Sequence, residues 1–242
     1  MLKILLTTAV FAGMAAGALQ PAQAAVTLAE YSVYATGSAY IAGGSYGVIA
    51  SGSFTNANGS KGNNFISNTA SSALLDSQAS ALSQAYAQRA ATGALSVLPN
   101  NTGKGTFTGT SSGINVFTLD AAQYASLYAL SFTGPGTGAI VNVTGDSFDH
   151  FVNIDFGGLA PDQVVFNFLN ASSVTMGGMN IQGSILAPDA LVTLRGGSVA
   201  GTVVADRFYS EGTRIGGDGF TGFAQTPPVP EPATWALMLL GF

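Results

Sequence analysis

The single histidine of the chain lies among carboxylates. The segment TGDSFDHFVNIDF places His150 beside Asp146, Asp149 and Asp155. Imidazole and carboxylate groups at such spacing could bind a metal ion or transfer protons, whereas the alternative is a polar loop whose aspartates bond to their own backbone. A polysaccharide-acting enzyme would need two converging carboxylates, and these three lie too close in sequence to nominate a pair. With one histidine and no cysteine, multi-histidine zinc sites and thiol–histidine catalysis are excluded. We expect no catalytic residue, metal or cofactor.

Threonines alternate in the segment TFTGT, at Thr106, Thr108 and Thr110. Residues two apart lie on one face of a strand. Stacked copies of such strands on a flat solenoid face can order water and bind ice. Only one copy is recognised in the sequence, so a strand with one solvated face is the preferred interpretation, and ice binding is an alternative.

Two glycine-rich segments and a group of tyrosines are further candidates. GPGTG (134–138) and IGGDGFTG (215–222) lack the Lys-Ser/Thr of a P-loop. GGDG resembles a fragment of calcium-binding solenoid repeats, so Asp218 is either a calcium ligand or part of a turn. Four early tyrosines could contact carbohydrate or protein, or could close the first coil of the fold; they are Tyr31, Tyr34, Tyr40 and Tyr46.

Composition favours a β-rich exported protein. The 242 residues include 32 glycines and only 8% charged residues, with a net charge of −5. The basic residues are scattered, which argues against nucleic-acid binding. No apolar run of 18 residues lies between Ala25 and Thr226, and the small, β-branched and aromatic residues there are typical of strands and turns.

The two ends of the chain are predicted to be address signals. Residues 1–24 have a positive start at Lys3, an apolar stretch and a small-residue site, which predicts a signal peptide cleaved between Ala24 and Ala25. Residues 225–232 form a proline-rich linker, and the apolar residues 233–242 would span about 15 Å as a helix, half of a bilayer core. We expect transient membrane association through this short segment.

The linker contains Pro230, Glu231 and Pro232 and resembles a PEP-CTERM sorting signal. This resemblance implies recognition by an exosortase-type enzyme in a Gram-negative bacterium that makes extracellular polysaccharide. The apolar segment is half the usual length and the basic tail of the family is missing. From this departure we expect either that the apolar segment is a truncated form of the family's helix or that sorting is impaired.

A repeat predicts the architecture. Ile181–Pro188 matches Val199–Asp206 when Gly183 is aligned with Gly201, 18 residues later. This period, with glycine at fixed offsets, is typical of coils in a β-solenoid. We therefore predict a mainly β fold, a parallel β-solenoid (β-helix) with one long α-helix packed alongside, with a β-sandwich as the alternative.

That helix is predicted over Ser72–Ala91, with Ser71 or Ser72 capping its start and Gly93 capping its end. Asp120 is predicted to cap a second, short helix over 121–127. The apolar stripe of the long helix is predicted to be Leu74, Leu75, Ala81, Leu82, Ala85 and Tyr86.

The order of these parts resembles the choice-of-anchor A family over residues 28–223. The matching segments are YSVYATGSAYIAGGSYGVIASGSF, the lone helix, and VVFNFLNASSVTMGGMNIQGSILAPDALVTLRGGSVAGTVVAD. The resemblance implies an adhesin-like β-helical domain over 25–224 that is attached to the cell by varying anchors, with no known catalytic residues to carry over.

Together these features predict an exported structural or adhesive protein of the envelope or exopolysaccharide matrix. Its expected partners are the sorting enzyme and an extracellular polysaccharide or matrix protein. The alternative is an ice-binding or calcium-dependent ligand-binding solenoid, and the third hypothesis is a polysaccharide-acting enzyme.

Overall fold

The structure is a computed structural model of the chain. It describes residues 27–57, 64–66, 69–97, 103–149, 153–155, 158–178 and 180–224.

Short parallel strands dominate the described residues. The strands are β1 Val33–Ala42, β2 Ser45–Tyr46, β3 Val48–Ala57, β4 Asn64–Ile66, β5 Gly93–Val97, β6 Lys104–Gly109, β7 Ile114–Asp120, β8 Ala129–Thr133, β9 Gly138–Thr144, β10 Ser147–Asp149, β11 Asn153–Asp155, β12 Val164–Leu169, β13 Ser173–Gly177, β14 Asn180–Gln182, β15 Ser184–Arg195, β16 Ser198–Ala200, β17 Val203–Glu211 and β18 Arg214–Gly216. The helices are α1 Thr69–Ala87 and α2 Ala121–Ser126, with 3-10 turns at Leu28–Glu30, Pro161–Gln163 and Thr221–Ala224.

The strands stack into a solenoid with three faces. The coil over 184–200 shows the plan: residues 184–187 lie on one face, 191–195 on the second and 198–200 on the third. The register of β15 against β17 shifts between Ala187 and Leu191, where these long strands pass from the first face to the second. The predicted parallel β-solenoid is therefore confirmed.

We name the faces by their strands. Face A contains β7, β9, β12, the first halves of β15, β17, β1 and β3, and then β4. Face B contains β10, β13 and the second halves of β15, β17, β1 and β3. Face C contains two four-stranded sheets, β5–β6–β8–β11 and β14–β16–β18–β2, in which only β5 is antiparallel to its neighbour.

The repeat seen in the sequence corresponds to adjacent coils. Ile181 pairs with Val199 on face C, and Ile185 pairs with Val203 on face A. Gly183 and Gly201 occupy equivalent corners with φ of 146° and 154°. A Cβ on Gly201 would lie 2.5 Å from the carbonyl oxygen of Gly183, so this corner has no room for a side chain.

The interior of the solenoid is filled by stacked apolar rows. Neighbouring strands pair in register, so residues at the same position on successive coils lie one above the other. One row consists of Phe166, Ile185, Val203, Val33 and Ile49, all at most 2% exposed. Each coil is too thin to bury its apolar side chains alone, and stacking of the coils completes the core.

The coils do not stack in chain order. β1 lies between β3 and β17, so the first coil is inserted next to the last one. Helix α1 then carries the chain along face A, in contact with β3, β15, β12 and β9. Its 19 residues span about 28 Å, which matches the roughly 24 Å covered by the five strand spacings from β3 to β9.

Helix α1 confirms the prediction of one long helix, but its limits and buried stripe differ. It begins at Thr69, so Ser71 and Ser72 lie inside it and do not cap it. It ends at Ala87, so Gly93, the first residue of β5, does not cap it either. Leu74 is 60% exposed, and Ala81 and Ala85 are also exposed. The side chains of α1 that are buried recur every three or four residues and so form one stripe along the helix. They are Leu75, Ala79, Leu82, Ser83 and Tyr86.

Helix α2 confirms the second helical prediction. The carboxylate of Asp120 accepts a hydrogen bond from the backbone N–H of Gln123 at 2.7 Å, and the Gln123 side chain accepts one from the backbone N–H of Asp120 at 2.9 Å. This reciprocal pair is a capping box. Tyr124 is the buried side chain of the helix and packs edge-on against Phe148.

Candidate functional site

Face A is covered and cannot meet a large ligand. Its outward side chains pack under helix α1 and the 3-10 turns in a second apolar cluster that includes Tyr34, Val204 and Leu186. The Tyr34 hydroxyl donates to the Asp76 carboxylate of α1 at 2.5 Å. Burial, then this hydrogen bond, raises the pKa of Tyr34. The candidate sites are therefore on faces B and C.

A buried amide network also fixes α1 on face A. Asn167 donates to the carbonyl oxygen of Ser83 at 2.9 Å and to the Asn142 side chain at 2.8 Å. The Ser83 hydroxyl donates to Asn167 at 2.6 Å, and Asn142 donates to the carbonyl oxygen of Tyr86 at 2.8 Å. These polar groups specify how the helix sits on the sheet, because any other register would leave them unpaired.

Face C carries a ladder of hydroxyl groups. Thr106 and Thr108 of β6 lie in register beside Ser131 and Thr133 of β8. The Thr106 and Ser131 hydroxyls are 3.2 Å apart, and those of Thr108 and Thr133 are 3.3 Å apart, both within hydrogen-bond distance. We call these four residues the hydroxyl ladder. On β5, Ser96 pairs in register with Thr106 and extends one row by a further hydroxyl.

The ladder rests on an aromatic interior. Phe107 and Phe132 alternate with the ladder residues, point inward and lie with ring centroids 5.2 Å apart. Their packing fixes the backbone of β6 and β8 at the spacing of neighbouring parallel strands, about 4.8 Å, and thereby fixes the positions of the ladder residues between them.

The ladder corrects the expectation that the threonine motif has a single copy. The segment Ser131-Phe132-Thr133-Gly134 repeats Thr106-Phe107-Thr108-Gly109 after 25 residues. It was missed because serine replaces one threonine and because the period differs from the 18 residues of the other repeat. Thr110 follows the strand, where its hydroxyl donates to the Thr92 carbonyl at 2.6 Å.

The rest of face C also bears short side chains. The Ser198 hydroxyl donates to Asn180 at 2.8 Å across β16 and β14. Ala200 and Gly216 pair in register on the adjacent row. β11 contacts β14, so the two sheets of this face adjoin. Among the described residues here, longer exposed side chains are Gln182 on β14, which pairs with Ala200, and Arg214 on β18.

Face B has a different surface. Its central row runs through Thr55, Tyr40, Tyr209, Thr193 and Thr175 across β3, β1, β17, β15 and β13. The Tyr40 and Tyr209 rings are stacked, with centroids 5.0 Å apart and an interplanar angle of 4°. The flanking rows carry the long charged side chains of Arg207, Arg195 and Glu211.

The four predicted early tyrosines are not brought together. Tyr31, Tyr34 and Tyr46 are at most 7% exposed, and Tyr46 bonds to Ser210 at 2.7 Å inside the solenoid. Tyr40 alone among them is exposed, at 36%. Tyr31, Tyr34 and Tyr46 are therefore buried structural residues, whereas Tyr40 is a candidate ligand contact.

The acidic cluster is dispersed by the fold. Asp149 is exposed at the end of β10 on face B, whereas Asp155 lies in β11 on face C. Asp146 lies in the preceding turn, where its carbonyl oxygen accepts from the Ser172 N–H at 2.8 Å. His150 lies outside the described residues. Among the residues that the structure describes, no group of three His, Cys, Asp or Glu could hold a metal ion.

The glycine-rich segments form turns at coil corners. Asn115 holds the 134–138 segment: it donates to the carbonyl oxygens of Ser111 and Pro135 at 3.0 and 2.8 Å, and it accepts from the Thr110 and Ser111 N–H groups. Asp218 is exposed after β18 and, among the described residues, belongs to no group of three His, Cys, Asp or Glu residues that could hold a metal ion.

The predicted processing sites lie outside the described residues. These are Ala24 and Ala25 at the signal-peptide site, and Pro230, Glu231 and Pro232 of the sorting motif. Within the described part of the chain, no helix is both long enough and apolar enough to span a bilayer.

The fold and its faces define a class: a parallel β-solenoid with an inserted first coil and a helix along one side. A family model described as "Putative Ice-binding-like adhesive domain" matches residues 11–215, and the chain belongs to this family. No curated protein matches the chain.

Solved structures share the architecture at low sequence identity. An ice-binding protein from an Antarctic biological consortium is 17% identical, with a TM-score of 0.51, over 81% of this chain and 93% of that one. An ice-binding protein from the Antarctic ascomycete Antarctomyces psychrotrophicus is also 17% identical, with a TM-score of 0.49, over 79% and 96%. A glycosylated ice-binding protein from an Arctic yeast is 15% identical, with a TM-score of 0.49, over 88% and 99%. The protein from the Antarctic biological consortium supports the assignment of this chain to the same fold.

Proposed function

We propose that this chain is an exported ice-binding protein that contacts ice through face C. The observation that carries the proposal is the hydroxyl ladder, since it presents regularly spaced hydroxyl and methyl groups on a rigid parallel sheet. Family membership and the solved ice-binding structure of the same fold support this function over the structural or adhesive one predicted first from the sequence.

The ladder suits an ordered solid better than a soluble ligand. Its side chains are short, so the face stays flat, and threonine has a stiff χ1 angle and loses little freedom on contact. Hydrogen bonding between neighbouring hydroxyls fixes their direction further. A pre-ordered face binds at lower entropic cost, which is the general advantage of preorganisation.

The absence of charge on the four ladder residues themselves supports the same site. Charged groups hold water in their own geometry and would oppose a match to an ice lattice. The four ladder residues are uncharged, and the charged residues beside them are Lys104 at the start of β6 and Asp155 of β11, which pairs in register with Ser131. Face B presents two guanidinium groups and one carboxylate in its central coils, whereas the guanidinium of Arg214 on face C lies on β18, outside the β5–β6–β8–β11 sheet of the ladder.

We also propose that the domain is delivered outside the cell by the predicted signal peptide and sorted by an exosortase-type enzyme at the Pro-Glu-Pro motif. The choice-of-anchor A resemblance supports surface attachment, and the adhesive description of the family is consistent with it. Attachment would keep an ice-binding face at the surface of a Gram-negative cell.

The test compares two single variants, each of which introduces one tyrosine on a different face. Thr108→Tyr puts a bulky ring on the ladder, and Thr175→Tyr is the matched control on face B. Ice-affinity partitioning and ice-growth inhibition of the purified 25–225 domain are measured for both. We expect Thr108→Tyr to lower ice binding at least about tenfold, as for a lost 1.4 kcal/mol, and Thr175→Tyr to leave it unchanged. The proposal is wrong if the parent domain does not enter growing ice.

A further inference from the structure

The centre of face B is an aromatic and charged surface that ice binding by face C does not use. The stacked rings of Tyr40 and Tyr209 lie at its middle. Tyr209 donates its hydroxyl hydrogen to a carboxylate oxygen of Glu211, two residues along the same strand. This hydrogen bond holds the Tyr209 ring in place, and it raises the pKa of Tyr209.

Charges of both signs surround the rings. The Arg207 side chain is 57% exposed, and its guanidinium lies 3.4 Å from the carboxylate of Asp206, itself 41% exposed. Arg195 pairs in register with Glu211 on the neighbouring strand. Two guanidinium groups and two carboxylates give this area no net charge, so it offers hydrogen-bond donors and acceptors without a field that favours anions or cations.

A step in the surface lies beside the rings. Because Tyr40 and Tyr209 stack across β1 and β17, the other side of the Tyr40 ring is turned toward β3. The outward residues there are short: Ser53 pairs with Ser38, and Thr55 pairs with Tyr40. At this point the Tyr40 ring stands above the surface formed by the Ser53 and Thr55 hydroxyl groups.

We propose that the tyrosine patch, formed by Tyr40, Tyr209, Arg195, Arg207, Glu211 and the β3 residues Ser53 and Thr55, binds neutral polysaccharide. A pyranose ring has an apolar C–H face that packs on an aromatic ring and hydroxyl edges that pair with carboxylate and guanidinium groups. The patch supplies both kinds of contact in adjacent rows of the sheet, with the rings in the central row and the charged groups in the flanking rows. The site goes beyond ice binding, since it concerns another face and another class of ligand.

The charge balance selects neutral over acidic polymers. A polyanionic glycan would gain from the two arginines but would be repelled by Asp206 and Glu211, and such binding would weaken steeply with salt. A neutral polymer meets no such repulsion. Its binding is expected to persist from low salt to physiological salt.

The experiment is affinity electrophoresis of the purified 25–225 domain through gels that contain dextran, mannan or hydroxyethyl cellulose, with alginate as the acidic comparison. At least one neutral polymer is expected to retard the parent domain. Tyr40→Ala is expected to weaken that binding roughly three- to tenfold, from the loss of one aromatic contact, and Tyr40→Phe is expected to keep it. Tyr128→Ala is the matched control, because Tyr128 is 46% exposed outside this patch.

A second variant keeps the test decisive if Tyr40→Ala folds poorly. Glu211→Gln removes one carboxylate while both rings remain, and it is expected to weaken binding about two- to fivefold. The inference is overturned if no neutral polymer retards the parent domain, if Tyr128→Ala weakens binding as much as Tyr40→Ala, or if only alginate binds and salt abolishes it. Ice partitioning of the same samples is a separate readout, so failure here is distinguishable from failure of the proposed function.

Discussion

Faces B and C share one backbone plan and present different chemistry. Both are built from in-register strands on the same apolar interior, yet the ladder of face C consists of Thr and Ser, whereas the centre of face B combines threonines with Tyr, Arg and Glu. The ladder is therefore flat and uncharged, with Asp155 beside Ser131 at its edge, whereas the centre of face B is stepped and zwitterionic. A solenoid lets each face vary independently, because outward residues do not contribute to the core.

The largest expected effect comes from a substitution that destabilises the whole solenoid and so disrupts the binding sites of both faces. Gly201→Ala places a Cβ 2.5 Å from the Gly183 carbonyl oxygen and adds strain at a positive φ. We expect a loss of at least about 3 kcal/mol in the free energy of unfolding, measured by urea denaturation. Gly178→Ala tests strain alone, since its φ is 69° and no atom lies within 4 Å of its Cβ. Equal losses in the two variants would show that coil contact at Gly201 is unimportant.

The next effect separates stability from binding. Asn167→Ala leaves the Ser83 and Asn142 groups without a partner under α1. We expect a loss of about 2–3 kcal/mol in the free energy of unfolding while faces B and C keep their ligands at low temperature. Gln84→Ala, on the exposed side of α1, should change stability by less than about 0.5 kcal/mol. A selective loss of ice binding in the folded Asn167→Ala protein would contradict the independence of the faces.

Alkaline pH is expected to lower the free energy of unfolding of the whole domain and therefore to affect both faces. Burial raises the pKa of Tyr34, Tyr86 and Tyr124, so these phenols stay neutral in the folded state while the unfolded chain ionises near pH 10. Their stabilising contribution is complete below that pH and falls as pH rises, by up to about 1.4 kcal/mol per pH unit for each tyrosine. Urea denaturation between pH 8 and 11 measures this slope. Tyr124→Phe should reduce it by the share of one tyrosine, and an unchanged slope would argue against buried Tyr124.

The smallest expected effect concerns the ladder hydroxyls. Thr108→Val keeps the shape and methyl group but removes one hydroxyl and its contact with Thr133. Ice partitioning should fall about twofold, as for one exposed hydrogen bond. Thr55→Val on face B should leave ice partitioning unchanged. If Thr108→Val binds ice as the parent does, methyl packing rather than hydrogen bonding dominates the contact.

The sequence was informative where neighbours in the chain are also neighbours in the fold. The 18-residue repeat predicted adjacent coils, and Asp120 predicted a capped helix, because both depend on local residues. The buried stripe of α1 was partly wrong: Leu74 and Leu75 are equally apolar, and only the underlying sheet decides that Leu75 is buried.

Candidate sites were harder to predict because they join distant segments. Tyr40 and Tyr209 stack only since β1 is inserted beside β17, which no local pattern reveals. The carboxylates around His150 are close together in sequence, but Asp149 lies in β10 on face B and Asp155 lies in β11 on face C. The hydroxyl ladder was recoverable in principle from the repeated Phe-Thr-Gly at 107–109 and 132–134.

The most direct measurement blocks one face at a time after folding. The chain has no cysteine, so Thr108→Cys and Thr55→Cys can each be labelled with a bulky maleimide in the folded domain, with the unlabelled variant as its own control. Ice partitioning before and after labelling is then compared. The account predicts that the label at position 108 abolishes ice binding and that the label at position 55 does not. Loss of ice binding from the label at 55, with retention at 108, would contradict it.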